Sequence, residues 1–171
     1  SERVGVPNAV AHCVGSILLK PAHLLSDDEW RRTLEVNLDS AFYLLRGVVR
    51  QWLRASVPGS FVLCSSAAAR IGLANHEAVG SAKAALEGLV RSAAATYAAR
   101  GIRVNAVAPG LVETGLARKI IDSPAALKAS LSLHPLGRTG KPEEVASAIA
   151  WLLDPEQGWV TGQILGVDRS E

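Results

Sequence analysis

The sequence predicts an α/β fold with a parallel sheet, and three observations carry that prediction. Short apolar runs alternate with longer stretches of helical periodicity. The run Phe61, Val62, Leu63, Cys64 is apolar throughout, as a strand covered on both faces must be. Pro-Gly pairs at 58–59 and 109–110 punctuate the boundaries.

The elements follow in order. Residues 9 to 13 form a first strand that ends near Gly15. Ser26 and Glu29 make a capping box: the hydroxyl accepts the amide three residues on, and the carboxylate reaches back to the cap. One long helix follows, with Trp30, Leu34, Leu38, Phe42, Leu45, Val49 and Trp52 at three- and four-residue spacing, and it stops before Pro58. Residues 61 to 64 are a second strand leading into Ser65 and Ser66. From about 78 to 100 the chain is Ala-rich and free of proline, with Gly101 at the left-handed terminating position of a second long helix.

Residues 102 to 108 make a third strand, ended by Pro109 and Gly110. The stretch 111–138 is less regular, with helical pieces at 113–121 and 124–131 interrupted by Pro135 and Gly137. Pro142, followed by Glu143 and Glu144, opens a helix that runs to about Leu153, because proline needs no amide partner there and carboxylates suit the positive end of the dipole. Residues 162 to 168 close the order as a fourth strand. Right-handed crossovers make this alternation a parallel sheet. With no internal repeat and no linker, residues 1–171 read as a single domain, a size at which a chain buries roughly 70% of its unfolded surface.

Composition narrows the function classes. A chain that is 49% hydrophobic and 20% charged is globular rather than disordered. The 18 basic and 16 acidic residues are scattered, without the basic stripe that a nucleic-acid partner requires. No apolar run approaches membrane-spanning length and no leader pattern opens the sequence, so a cytoplasmic protein is expected. The two cysteines, Cys13 and Cys64, lie in apolar segments and are expected to be small core hydrophobes with no chemical role. No metal site is expected. The absence of methionine is a reason to expect an incomplete sequence.

Several local motifs now stand in a recognisable order: Leu34 to Asn37 in the long helix, Ser65 and Ser66 after a strand, Ser81-Ala82-Lys83 near the start of the next helix, Arg103 to Gly110, and Val160-Thr161-Gly162-Gln163 before the last strand. Together they resemble the short-chain dehydrogenases/reductases, and the resemblance covers essentially all 171 residues. It implies a Rossmann-like doubly wound sheet and a tetrad of Asn, Ser, Tyr and Lys, the last two as Tyr-x-x-x-Lys on one helix. Four residues apart, those side chains share a face, so the ammonium can lower the phenol pKa while holding the nicotinamide ribose. The serine polarises the substrate carbonyl and the asparagine anchors a proton-relaying water.

Carried over by residue, the asparagine falls on Asn37, the serine on Ser66, the lysine on Lys83 and the tyrosine on Val79, which has no proton to exchange. Gly15, Lys83, Pro109, Gly110, Val112 and Thr114 are the implied contacts to NAD or NADP in a full-length form. The sequence departs from the family where His12, Cys13 and Val14 precede Gly15 in place of Asn-Asn-Ala, and where Arg169 and Ser170 follow Asp168 in place of two glycines. It resembles the carboxyl-terminal two-thirds of such a domain, lacking the first strands and the Gly-rich dinucleotide turn.

His76 lies seven residues before Lys83, on roughly the same helical face, and is a candidate replacement acid/base; the plainer reading is an exposed histidine at a helix start. The expected function is an NAD(P)-dependent oxidoreductase acting on a small carbonyl or alcohol, with impaired or altered acid/base chemistry. The alternative is a non-catalytic subunit or binding module. Either is expected to associate as a homodimer or homotetramer through the helices 26–55 and 78–100, with Trp30, Phe42, Trp52 and the Ala-rich face of 82–98 supplying apolar area.

Overall fold

A computed structural model describes residues 5–168. The pair Arg169 and Ser170 lies outside the described residues. Among the described residues four strands, β1 (Ala9–His12), β2 (Gly59–Cys64), β3 (Ile102–Pro109) and β4 (Ile164–Val167), form a parallel sheet in that order. Val10 pairs with Phe61, Phe61 with Val104, and Ala106 with Ile164.

Helices cover both faces of the sheet, as the apolar strand runs require. On one face α2 (Ser40–Ala55) and α3 (Glu77–Tyr97) pack on Phe61, Leu63, Val104 and Ala106. On the other, α6 (Pro142–Leu153) packs on Val62 and Val107 through Leu152, Val145 and Ile149. The local signals place the ends of these helices. Ser26 and Glu29 form the capping box of α1 (Asp27–Leu34), Gly101 takes φ 72° after α3, and Pro142 opens α6. The stretch 111–138 holds two short helices, α4 (Arg118–Ile121) and α5 (Pro124–Leu131).

The long helix predicted over 26–55 is not continuous. Between α1 and α2 lies a π-helical turn, Glu35–Asp39, closed by a bond from the Ser40 amide to the Glu35 carbonyl. One extra residue in a turn rotates everything beyond it. The buried stripe therefore runs Thr33, Asn37, Ala41, Leu45, Val49, Trp52, while Trp30 and Phe42 are left exposed.

Trp52 corrects the expected association face. It is fully buried, its indole donates to the Pro7 carbonyl, and a Cβ on Gly59 would come within 2.4 Å of its ring. Ala82, Ala93 and Ala94 are likewise turned into the core. Cys13 is a second correction: it is exposed just past the end of β1, where the strand opens into a cleft, whereas Cys64 is half-buried and packs against the Val62, Val107 and Leu152 cluster as expected.

Candidate active site

Parallel strands all end on one side, so the loops that follow them converge. Residues 13–17 after β1, Ser65 and Ser66 after β2, and 109–114 after β3 meet the start of α3 and one flank of α6 around a cleft of ≈ 360 Å³. Asn37, Ser66, Val79, Lys83, Gly15, Pro109, Gly110, Val112 and Thr114 all line it. A larger hollow of ≈ 640 Å³ lies at the opposite ends of the strands, and none of these residues borders it.

Helix geometry brings Val79 and Lys83, one turn apart, to the same cleft. Both are buried in α3. The Lys83 ammonium donates to the Cys64 carbonyl at 2.7 Å. Burial holds this ammonium below the ordinary lysine range, with the nearby Cys64 and Cys13 thiols pulling the other way.

Asn37 sits fully buried in the π-turn. Its Oδ1 accepts the Ser16 amide at 3.1 Å, and its Nδ2 donates to Ser16 Oγ at 2.9 Å and to the Thr33 carbonyl at 3.0 Å. The chain crosses this point as glycine because a Cβ on Gly15 would lie 3.1 Å from Asn37 Oδ1 and 3.4 Å from Lys83 Nζ. Ser66 caps the short turn Ala67–Ala69, accepting the Ala68 amide at 3.2 Å, which leaves its hydroxyl proton free to donate elsewhere.

Three further polar groups border the site, two of them, Glu87 and His134, without a place in the sequence-based expectation. Glu87, buried one turn after Lys83, accepts from Ser65 Oγ at 3.0 Å and Arg70 Nε at 3.2 Å, fixing the residue that precedes Ser66. Its spacing of four from Lys83 was a usable signal. His134 Nε2 accepts the Leu111 amide at 2.7 Å, so the proton resides on Nδ1, which donates to the Ser130 carbonyl at 2.7 Å. His12 Nε2 lies 3.0 Å from Ser40 Oγ. Burial, then the Lys83 charge, lowers the His12 pKa, favouring the neutral ring.

His76 is not brought to the cleft. It is the N-cap of α3 at φ −104°, ψ 14°, where the chain has left the helical path, and its Nδ1 lies 2.8 Å from the Ala74 carbonyl. Helical periodicity from Lys83 does not extend to it. Among the described residues no cluster of three His, Cys, Asp or Glu side chains could hold a metal, and no helix is long and apolar enough to cross a membrane.

Comparison with known proteins identifies the family. A family profile described as enoyl-(acyl carrier protein) reductase matches residues 1–169. The chain is 42% identical over 149 residues to cis-4-hydroxycyclohexanecarboxylate dehydrogenase of Sinomonas cyclohexanicum, covering 86% of this chain and 58% of that one. It superposes with TM-score 0.92 and 27% identity on 4-hydroxyisoleucine dehydrogenase complexed with NADH, covering 96% of this chain and 68% of the other. A protein of Agrobacterium tumefaciens solved with bound NADP gives TM-score 0.91 at 30% identity, covering 94% and 65%. The chain spans about three fifths of the length of the curated relatives it matches, 62% in a tropinone reductase homolog of Arabidopsis thaliana. On this evidence of sequence and fold, the chain belongs to the enoyl-(acyl carrier protein) reductase family of short-chain dehydrogenases/reductases.

Proposed function

We propose that this chain is an NAD(P)-dependent short-chain oxidoreductase, reducing a small carbonyl compound or oxidising a secondary alcohol, with impaired or altered acid/base chemistry. The observation that carries the reading is a buried ammonium, Lys83, in a cleft where Val79 stands one turn before it and the Ser66 hydroxyl lines the same wall. A relative acts on a hydroxycyclohexane carboxylate, and structural neighbours hold NADH or NADP.

The residues present fit the nicotinamide half of a dinucleotide, as bound in a full-length form. Among the described residues, Lys83 directs one donor to a protein acceptor, the Cys64 carbonyl, and an ammonium has three. The remaining donors suit ribose hydroxyls. Gly15 and Gly110 keep the backbone low beside the cleft, and Pro109, Val112 and Thr114 form the facing wall. NAD or NADP would supply the hydride. Ser66 donates its free proton to the substrate oxygen and so draws charge off the carbonyl. Asn37, clamped to Ser16, holds the loop after β1 against Lys83.

Val79 occupies the place from which a tyrosine would exchange the proton, and an alkyl group there leaves that step to water or Ser66. A positioned general acid contributes about 10²–10⁴ in rate, so turnover is slow rather than absent. The chain works as one Rossmann-type unit in the cytoplasm, as a homodimer or homotetramer built on residues 26–55 and 78–100. The non-catalytic alternative rests on Val79 alone, whereas the relatives are dehydrogenases and reductases.

Nicotinamide absorbance, followed with a panel of ketones and secondary alcohols, tests the reading in the native protein and a Val79→Tyr variant side by side. The variant is expected to run at least about 10²-fold faster. Equal rates in the two proteins would remove the altered acid/base chemistry. Absence of hydride transfer in both, at saturating dinucleotide, would remove the enzyme assignment.

A further inference from the structure

We propose that Cys13 and Cys64 are a paired thiol site on the floor of the cleft that closes to a disulfide in the presence of a hydroperoxide. The pairing of β1 with β2 runs in register from Ala9 opposite Ser60 to His12 opposite Leu63. Continued one residue past the end of β1, the same register would set Cys13 beside Cys64, and the two thiols are near enough for the charge of one to act on the other. Neighbouring strands lie about 4.8 Å apart, inside the roughly 4.4–6.8 Å between Cα atoms that a disulfide spans.

The two side chains also fall on one face. Residues alternate along a strand, and His12 reaches Ser40 on the α2 side, so its successor points to the α6 side. Cys64 packs there with Val62, Val145 and Ile149. Both cysteines line the same cleft, Cys13 exposed and Cys64 half-buried. The accessible thiol is the one a peroxide would meet, and the shielded one is placed to resolve it.

Electrostatics agree with that proximity. Each thiol is raised by burial first and lowered by the Lys83 charge second, and Cys64 is raised further by Cys13 itself. Oxidation is accordingly slow at neutral pH and quickens as pH rises, since the thiolate is the nucleophile. Thiolates that are poorly stabilised are also poor leaving groups, so the bridge resists reduction once formed.

The steps balance. The Cys13 thiolate, its proton lost to solvent, attacks one peroxide oxygen; an S–O bond forms, the O–O bond breaks, and the departing alkoxide takes up a proton to give an alcohol and Cys13 sulfenic acid. The Cys64 thiolate then attacks the Cys13 sulfur, the S–S bond forms, and hydroxide leaves to be protonated to water. Two thiols and one hydroperoxide become one disulfide, one alcohol and one water. The bridge ties β1 to β2 and withdraws a thiol from beside Lys83. This inference stands independently of hydride transfer.

The test is titration of the folded chain with hydrogen peroxide, an iodoacetamide quench and a non-reduced peptide map. The expected result is a Cys13 peptide joined to a Cys64 peptide within one chain, reversed by dithiothreitol and formed faster at pH 9 than at pH 7. In a Cys64→Ser variant, dimedone should trap Cys13 as the sulfenic acid; if that variant fails to fold, the native map alone decides. Crosslinks only between chains, sulfinic acid on Cys13 with Cys64 still free, or both thiols intact under peroxide that oxidises the denatured chain would each overturn the proposal.

Discussion

Asn37 and Ser16 grip each other through both ends of the amide: Oδ1 accepts from the Ser16 backbone at 3.1 Å while Nδ2 donates to its hydroxyl at 2.9 Å. One side chain in a π-turn thereby fixes the loop that leaves β1, and the wall of the cleft depends on a helix irregularity 21 residues away in sequence. That dependence can be measured.

Asn37→Ala leaves the Ser16 amide without its acceptor and the Thr33 carbonyl without the side-chain donor. An unsatisfied buried group costs about 1–3 kcal/mol, and a loss of that size is expected in urea unfolding with an unchanged denaturant slope. A loss under about 0.5 kcal/mol would mean that water replaces the clamp.

Glu87 anchors Ser65 and Arg70 from a buried position, and the Arg70 side chain keeps 29% of its surface in water. Breaking a fully buried pair costs roughly 3–5 kcal/mol, and the partial exposure of Arg70 reduces that. Glu87→Ala is expected to lose about 2 kcal/mol by chemical denaturation. Glu87→Gln, which retains the Ser65 bond, should recover part of it.

Lys83 sets a pH dependence. Its folded pKa is lowered from 10.5, first by burial, so between the lowered value and 10.5 the unfolded chain binds more protons than the native one. Stability contributed by this residue therefore rises with pH across that window, and the full cost of burying the charge is present below it. The cysteines, whose folded pKa values are raised above 9.0, act oppositely over the alkaline range and are best replaced in the background. In a Cys13→Ser, Cys64→Ala chain, the unfolding free energy relative to the same chain with Lys83→Met should climb toward pH 10.5. A flat difference would contradict a lowered Lys83.

A Cβ on Gly110 would stand 2.4 Å from His134 Nε2, the acceptor of the Leu111 amide. Gly110→Ala should cost about 1–3 kcal/mol through overpacking. Because the clash is with one named ring, the same substitution in a His134→Ala background should cost distinctly less, a coupling that a double-mutant cycle reads directly.

The parts of the fold set by neighbours in sequence were legible. The Ser26–Glu29 box, Gly101 and Pro142 act within one turn of themselves, and each marks the boundary expected of it. Asn37 was legible through the family resemblance, yet the π-turn around it was not, since the side chain is clamped by Ser16, which approaches from β1. That slip in phase also hid the burial of Trp52. Cys13 was read as core because an apolar run does not tell where a strand emerges from the sheet. His134 gave no sign, because its partner Leu111 is 23 residues away in an irregular stretch.

The Arg103 side chain has a further consequence. Its guanidinium gathers the carbonyls of Leu152, Leu153, Asp154 and Val160, at 2.9 to 3.4 Å, onto β3. Withdrawal of that one side chain leaves all four oxygens without their donor at once, so the end of α6 and the approach to β4 should open together. Amide hydrogen exchange across 152–163 would then report a single cooperative unit rather than a fraying tail.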